Sequence, residues 1–238
     1  MNISNHNQQE AHLNEVYPTL PFKPIAGRGL YLETAEGRHI LDLYGGHAVA
    51  TLGYGHPKLS SAIAEQAERL FFQSNAVRLD IRDEAANSLA AFAPEPLSRV
   101  FFVNSGAEAN ENALRIALKS TGRKKIIAVE HSFHGRTAGA ATVTWGAKES
   151  WYGFPHDPFE VAFVPRNDIN ALNTMVDRDS AALIIEPVQG VAGAFNFEPG
   201  FLNAARTACD NSGALLILDE VQTGVGRLGA PFGADLYG

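Results

Sequence analysis

The sequence predicts an α/β protein with a mainly parallel, doubly wound sheet and an N-terminal arm or small subdomain. Two observations predict it: short, uniformly apolar runs alternate with segments of helical period, and polar or glycine-rich segments follow the apolar runs. Strands this apolar are covered on both faces, and strands that alternate with helices pair in parallel through right-handed crossovers. With 238 residues, 45% of them hydrophobic and 19% charged, the chain can bury such a core.

The N-terminal part is predicted to lack a large core of its own. Residues 1–16 are polar and rich in Asn, Gln and His, which is typical of a disordered leader. Residues 17–58 are expected to form an N-terminal arm and part of a small domain. Within it, two short strands at 29–34 and 35–43 flank a turn at Glu36 and Gly37, and a glycine-rich loop follows.

Residues 59–238 are predicted to form the large domain. Helices are expected at 59–70 and 83–92, where the apolar residues recur at helical spacing. The regular alternation then begins, and its predicted members are strands at 99–103, 125–129, 161–164, 181–185 and 214–218, with helices at 107–119, 169–176 and 201–209.

Ligands of such sheets bind beyond the carboxyl ends of the strands, so the residues just after each strand are the candidates for chemistry. After the first predicted strand, Ser105, Gly106 and Ala107 turn directly into a helix. Gly106 lets the backbone approach a ligand while unpaired N–H groups point outward, which favours a phosphate or carboxylate site. The alternative, that Ser105 or Asn104 only caps the helix, stays open.

The loop after the second strand combines Phe133, as a stacking face, with Arg136, whose guanidinium can bind a carboxylate in a fork. His131 and His134 also lie there, but ordinary hydrogen bonding is expected of them and no metal site. Asp219 follows an apolar strand and should be partly desolvated, so it needs a cationic partner or hydrogen bonds to stay ionised. Taken alone, Asp219 is also compatible with a role in capping the next turn, an alternative that the polar clusters at the neighbouring strand ends disfavour.

A second glycine pattern offers an alternative function. Gly224, Gly226 and Gly229 match G-x-G-x-x-G after a strand, as in dinucleotide-binding proteins. Five residues separate the strand from the first glycine, and Pro231 and Gly233 interrupt the helix that should follow. We therefore expect a loop here, with a nucleotide-binding α/β protein as the weaker hypothesis.

Composition restricts the setting. The 26 acidic and 19 basic residues give a net charge of −7, which disfavours a general nucleic-acid binder. Cys209 is the single cysteine, so no intrachain disulfide forms and a reducing compartment such as the cytoplasm is expected. The first basic residue is Lys23, which does not suit a signal or transit peptide, and no apolar stretch is long enough to predict a membrane span.

Taken together, the strand-end segments resemble those of the class III aminotransferases, fold type I enzymes that depend on pyridoxal phosphate, and most closely the acetylornithine aminotransferase group. The segments that carry the resemblance are 104–111, 132–137, 186–190 and 219–224, and it extends from about Tyr17 to the last residue. It implies that residues 59–238 are an incomplete pyridoxal-phosphate-binding large domain.

The resemblance also assigns roles at the cofactor. It implies that Ser105, Gly106 and Ala107 hold the phosphate at the helix N-terminus. Phe133 would stack on one face of the pyridine ring.

On the other side of the ring, Val221 would pack against the second face and Gln222 would reach the ring hydroxyl. Asp219 would pair with the protonated ring nitrogen, which keeps the ring an electron sink. Arg136 would bind the substrate's α-carboxylate.

Two departures from the family pattern stand out. Many relatives carry Glu after the Gln-Gly of the 186–190 segment, where this chain has Val191; this favours an alanine–glyoxylate type of aminotransferase as an alternative. The Schiff-base lysine of the family follows the aspartate equivalent to Asp219, whereas the lysines of this chain all precede it, at positions 23, 58, 119, 124, 125 and 148. That lysine is therefore expected beyond the chain end, and no catalytic residue is assigned.

The leading hypothesis is the N-terminal part of an aminotransferase that moves an amino group from an acetylornithine-like amino acid to a 2-oxo acid, in amino-acid metabolism such as arginine biosynthesis. The fragment itself is expected to be inactive, and the full-length protein to be a homodimer. A different class of function, a catalytically dead interaction partner of a full-length subunit, stays open.

Overall fold

A computed structural model describes residues 12, 14 and 18–237 of the chain. The predicted leader, residues 1–16, lies outside the described residues apart from His12 and Asn14. The contacts divide the chain into two compact units: one comprises the described residues up to Gly45 together with Leu52–Arg69, and the other comprises Gly46–Thr51 and the residues from Leu70 onward.

The first unit contains a three-stranded antiparallel sheet in the order β1-β2-β3. Its strands are β1 (Pro24–Arg28), β2 (Tyr31–Thr34) and β3 (His39–Leu41). The predicted turn is confirmed, because the Gly37 N–H donates to the Thr34 carbonyl at 2.9 Å. The sequence-based pattern missed β1, and β2 begins later than predicted because Gly29 has a left-handed backbone (φ +59°).

The remaining elements, in chain order, begin with α1 (Gly45–Ala48), a turn with left-handed backbone at Gly46 and His47. They continue with α2 (Pro57–Leu70), α3 (Asp80–Phe92), α4 (Gly106–Thr121), β4 (Lys125–Val129), α5 (Ala138–Thr142), α6 (Ala147–Ser150), β5 (Glu160–Val164), α7 (Ile169–Met175), β6 (Ser180–Ile185), β7 (Val188–Gln189), β8 (Phe195–Asn196), α8 (Phe201–Ser212), β9 (Leu215–Leu218) and α9 (Ala234–Tyr237).

The main sheet of the second unit has four parallel strands in the order β5-β4-β6-β9. Alternate residues of each strand face opposite layers. Ile127 and Leu183 pack with α7 and α8, whereas Ile126 and Ile184 pack with α4. Helices therefore cover both faces, which confirms the predicted doubly wound sheet.

The strand order reverses direction between β4 and β6, the position at which open α/β sheets bind ligands. The carboxyl ends of the strands are level, since Ile127 of β4 pairs with Leu183 of β6 and the Asp219 N–H after β9 donates to the Ile185 carbonyl of β6 at 2.9 Å. The residues after β4, β6 and β9 consequently share one edge of the sheet.

The prediction of a strand at 99–103 is wrong. This segment forms no strand in the structure, and Phe101 and Phe102 are exposed. A strand exists only when a neighbour pairs with its backbone, and no other strand of the described residues pairs with this run. An apolar, β-branched and aromatic sequence predicts the propensity of a strand but cannot supply its partner.

The other differences concern element ends and short elements. Helix α2 begins at Pro57, a residue suited to a first helical position, and α3 begins three residues before the predicted start at Asp83. Helices α4 and α8 continue to Gly122 and Gly213, whose left-handed backbones end them. No helix of the described residues is long and apolar enough to cross a membrane.

Candidate active site

A cleft of about 510 Å³ opens at the shared edge of the sheet in the second unit. All of the residues predicted from the sequence as site residues line it: Ser105, Gly106, Ala107, Phe133, Arg136, Asp219, Val221 and Gln222. They come from the start of α4 and from the segments after β4 and β9. The structure therefore brings together three chain segments that lie far apart in the sequence, at 105–107, 133–136 and 219–222.

The N-terminus of α4 combines a capped helix with free backbone donors. Ser105 is the N-cap, and its Oγ accepts a hydrogen bond from the Glu108 N–H at 3.2 Å, while Glu108 Oε2 accepts from the Asn104 N–H at 2.6 Å. Within the described residues, no hydrogen bond engages the N–H of Gly106 or Ala107. Capping and anion binding, left open by the sequence, are thus compatible here.

Gly106 faces the start of the segment after β9 at very short range. A Cβ atom at this position would lie 2.8 Å from Cγ2 of Val221, closer than carbon atoms approach without displacement. The glycine therefore lets Val221 lie directly against the helix N-terminus. This packing places the apolar side chain of Val221 beside unpaired backbone N–H groups. Such a site suits a ligand with a flat apolar face.

Asp219 is buried, and both oxygens of its carboxylate accept hydrogen bonds. Its Oδ2 accepts from Nδ2 of Asn110 at 2.7 Å and lies 2.7 Å from Nδ1 of His134, and its Oδ1 accepts from the Val221 N–H at 3.1 Å. The expectation that this carboxylate needs hydrogen-bond partners is confirmed. These contacts hold the Asp219 carboxylate in one orientation in the wall of the cleft.

Glu186 is a second buried carboxylate of the cleft. Burial raises the pKa of Glu186 above its ordinary value, and the hydrogen bond that its Oε1 accepts from the Phe133 N–H at 2.9 Å opposes this shift. The bond joins the segment after β6 to the segment after β4, on either side of the sheet's reversal point. It fixes the backbone that carries the Phe133 ring at the cleft.

Arg136 belongs to the loop after β4 that also carries Phe133. It lines the cleft and is exposed. The loop packs closely on α4 because Gly135 (φ +130°) leaves no side chain; a Cβ there would lie 2.6 Å from Cβ of Ala107. On the other side of Arg136, the Thr137 hydroxyl donates to Oε2 of Glu111 at 2.6 Å. Contacts of the two neighbouring residues therefore fix the backbone from which the Arg136 side chain extends.

The glycine pattern at Gly224, Gly226 and Gly229 forms a loop, as predicted. No helix of the described residues begins at these glycines; the Gly226 N–H donates to the Pro231 carbonyl at 3.1 Å and closes the loop on itself. Glu220 anchors the far end by accepting from the Gly233 N–H at 2.7 Å. The strand–turn–helix geometry of a dinucleotide site is absent from this part of the described chain.

Comparison with known proteins agrees with this geometry. The family model for aminotransferase class-III matches residues 14–238. The chain belongs to the class-III aminotransferase family. Enzymes of this family depend on pyridoxal phosphate.

Individual relatives give the same result. The chain is 44% identical over 223 residues to the acetylornithine aminotransferase of Methanopyrus kandleri, which covers 93% of this chain and 56% of the relative. It is 39% identical over 216 residues to the LysW-aminoadipate semialdehyde/glutamate semialdehyde transaminase of Sulfurisphaera tokodaii, covering 90% and 55%. The chain thus spans about half the length of the curated relatives it matches.

A solved structure supports the fold. The ornithine aminotransferase of Toxoplasma gondii, crystallised in the presence of oxidised glutathione and showing partial occupancy of pyridoxal phosphate at its active site, superposes with a TM-score of 0.84 at 29% identity. The match covers 94% of this chain and 54% of that one. The predicted α/β aminotransferase fold is therefore confirmed.

In this class-III aminotransferase chain, sequence reasoning missed three polar residues of the cleft: Asn110, His134 and Glu186. Asn110 follows Gly106 by four residues, so it lies on the same face of α4, and this spacing was the available signal. His134 was expected to make ordinary hydrogen bonds, and it does so, but to Asp219. Among the described residues, no cluster of three or more His, Cys, Asp or Glu side chains suits a metal ion.

The two departures from the family pattern also have a place in the structure. Val191 lines the cleft with about half of its surface exposed, so an apolar side chain stands where many relatives were expected to carry a carboxylate. None of the described lysines lines the cleft. Lys125, for instance, pairs with Asp177 at 2.6 Å at the opposite end of β4.

Proposed function

We propose that this chain forms the cofactor-binding part of a pyridoxal-phosphate-dependent aminotransferase, one that moves an amino group from an acetylornithine-like amino acid to a 2-oxo acid. The single observation that carries the proposal is the convergence of the predicted cofactor residues on one cleft, with free N–H groups at one wall and buried Asp219 in another.

The residues present fit the cofactor. The free N–H groups of Gly106 and Ala107, beside Ser105, suit a phosphate, and the absence of a Cβ at Gly106 lets Val221 lie directly beside them. The buried carboxylate of Asp219 suits a protonated ring nitrogen. Bound there, pyridoxal phosphate supplies an electron sink for the charge left when a substrate's α-proton is removed.

Other residues of this chain orient the ring and the substrate. Phe133, held by Glu186, would stack on one ring face, while Val221 would pack on the other and Gln222 would reach the ring hydroxyl. Arg136 would bind the substrate's α-carboxylate through two parallel hydrogen bonds, for which a planar guanidinium is suited.

The amino donor is proposed from the relatives. Acetylornithine aminotransferases and a LysW-aminoadipate semialdehyde/glutamate semialdehyde transaminase both match at about 40% identity over most of this chain. Both names describe an amino acid or its semialdehyde that carries an added group, acetyl in one and LysW in the other. We propose the same class of donor here, and arginine biosynthesis as the setting.

Val191 favours a second candidate function, that of an aminotransferase of the alanine–glyoxylate type. Val191 lines the cleft at the position where many relatives were expected to carry a carboxylate, so this chain lacks that charge beside the site for the acceptor. In a protein that continues past Gly238 as the relatives do, comparison of 2-oxoglutarate with glyoxylate as acceptor separates the two candidates.

The cofactor proposal is tested by titrating the 238-residue chain with pyridoxal phosphate and following its absorbance. We expect saturable binding that Asp219→Asn weakens, and no covalent attachment within the cleft after borohydride, because none of the described lysines lines it. Unsaturable binding, or binding unchanged by Asp219→Asn, contradicts the assignment. The activity itself is tested in the longer protein, where a sequence without a lysine after 219–224 would exclude it.

Dimer formation and location belong to the same proposal. We propose that the full-length protein is a homodimer and that it works in the cytoplasm. Large apolar side chains exposed on the second unit, such as Phe71 and Phe72, support an interface, and the buried, unpaired thiol of Cys209 suits a reducing compartment. Recovery of this chain only in complex with a full-length subunit would favour the alternative of an inactive interaction partner.

A further inference from the structure

Two side chains, besides the Val221 N–H, hold the Asp219 carboxylate in place. Asn110 in α4 and His134 in the loop after β4 both reach Oδ2 of Asp219, each at 2.7 Å. Both are almost completely buried, with 5% and 2% of their surface exposed. The three side chains therefore form a buried cluster contributed by three separate segments.

The cluster is cross-linked so that its members fix one another. Nδ2 of Asn110 donates a second hydrogen bond to the His134 carbonyl at 2.8 Å, and the His134 N–H donates to Oγ1 of Thr144 at 2.9 Å. The imidazole is thus held through its backbone as well as through Nδ1. Nε2 of His134 has no hydrogen-bond partner among the described residues.

Hydrogen-bond counting assigns the proton on the imidazole. An ionised carboxylate only accepts, so Nδ1 of His134 carries the hydrogen that lies toward Asp219. A carboxylate offers about four acceptor positions, and Asn110, His134 and the Val221 N–H occupy three of them. One position is left for a further donor at the cleft.

We propose that His134 and Asn110 are positioning residues, which hold the Asp219 carboxylate in the orientation that leaves its one remaining acceptor position for the protonated ring nitrogen of the cofactor. This inference rests on the proposed function. It predicts that the two residues affect cofactor affinity through the ring nitrogen alone, and not through the phosphate or the ring face.

The test compares two replacements of His134 that differ in where they place an amide. In His134→Asn the side-chain amide falls near the Nδ1 position and can donate to Asp219, whereas in His134→Gln it falls near the Nε2 position. We expect His134→Gln to weaken pyridoxal phosphate binding by about ten-fold or more, and His134→Asn to stay within about three-fold of the native chain. Asn110→Ala, a replacement that a helix tolerates, should weaken binding as His134→Gln does.

The ligand control is an analogue of pyridoxal phosphate in which the ring nitrogen is replaced by carbon. Its affinity should be the same in the native chain, His134→Gln and Asn110→Ala, because it makes no demand on Asp219. Equal losses for pyridoxal phosphate and the analogue, or equal effects of His134→Asn and His134→Gln, overturn the inference. Thermal melts identify any variant that fails to fold.

A ligand-free readout separates this inference from the proposed function. In ¹⁵N-labelled protein, the Nδ1 proton of His134 should give a slowly exchanging NMR signal that Asp219→Ala abolishes. If the native chain binds no pyridoxal phosphate, the proposed function fails and the inference with it. If the native chain binds the cofactor but the Nδ1 signal is absent, or His134→Gln has no effect, only the inference fails.

Discussion

Ser105 caps α4 and also lies at the wall proposed for the phosphate, so its two roles can be separated by substitution. Ser105→Ala removes the acceptor of the Glu108 N–H. Loss of such a cap costs about 1 kcal/mol of the free energy of unfolding, and for a chain of this size lowers Tm by about 2–4 °C. Ser105→Asp keeps an N-cap acceptor, so its stability should stay close to that of the native chain.

The same aspartate places a negative charge beside the phosphate site. At an effective dielectric constant of about 20, two unit charges about 5 Å apart repel by roughly 3 kcal/mol, which is about a hundred-fold in affinity. Ser105→Asp should therefore retain the native midpoint of urea unfolding but weaken pyridoxal phosphate binding by about that factor.

Pyridoxal, which lacks the phosphate, is the matched control ligand. Its affinity should be nearly the same in the native chain and in Ser105→Asp, since no second charge is present. The reasoning is refuted if Ser105→Asp binds pyridoxal phosphate as tightly as the native chain, or if it loses affinity for pyridoxal to the same extent.

Three further outcomes are expected. Burial raises the pKa of the Cys209 thiol to about 11, so a thiol reagent at neutral pH should label it only after denaturation; rapid labelling of the native chain would contradict its burial. Lys125 lowers the pKa of Asp177 to about 2, so the stability that this pair contributes is present above about pH 4 and lost as the pH falls toward 2. Because Asp177 is partly exposed, the loss should be below about 1 kcal/mol, and urea titrations of Asp177→Asn should not show it. Leu114→Ala should cost about 2–5 kcal/mol of unfolding free energy and Ile116→Ala, exposed on the same helix, less than about 0.5, a ranking that urea denaturation checks.

The parts of the fold that depend on local pattern could be predicted from the sequence. Strand β4 was predicted with its observed ends, because its apolar residues face helices on both sides and leave an unbroken apolar run. The segment 99–103 has the same character, but no strand of the described residues pairs with it, and pairing depends on another part of the chain. The sequence pattern therefore identifies segments that are able to form strands. Only those that pair with another strand of the sheet do so.

The same division applies to the site. Gly106 and Asp219 were found because the topology of a parallel sheet places strand ends at one edge, whatever the details. Asn110 and His134 were missed as site residues because their role depends on side-chain directions at that edge, where Oδ2 of Asp219 is the point they share. The spacing of residues along α4 indicates which side chains face the cleft. It does not indicate which side chain of a neighbouring loop they contact there.

The net charge of −7 does not oppose binding of an anionic cofactor, because the cleft has two opposite poles. Helix α4 directs the free N–H groups of Gly106 and Ala107, with the positive end of the helix dipole, toward one wall. The buried Asp219 carboxylate makes another wall negative. A ligand that is anionic at one end and cationic at the other is attracted in one orientation and repelled in the reverse one, so these local poles, not the total charge, set how the cofactor enters.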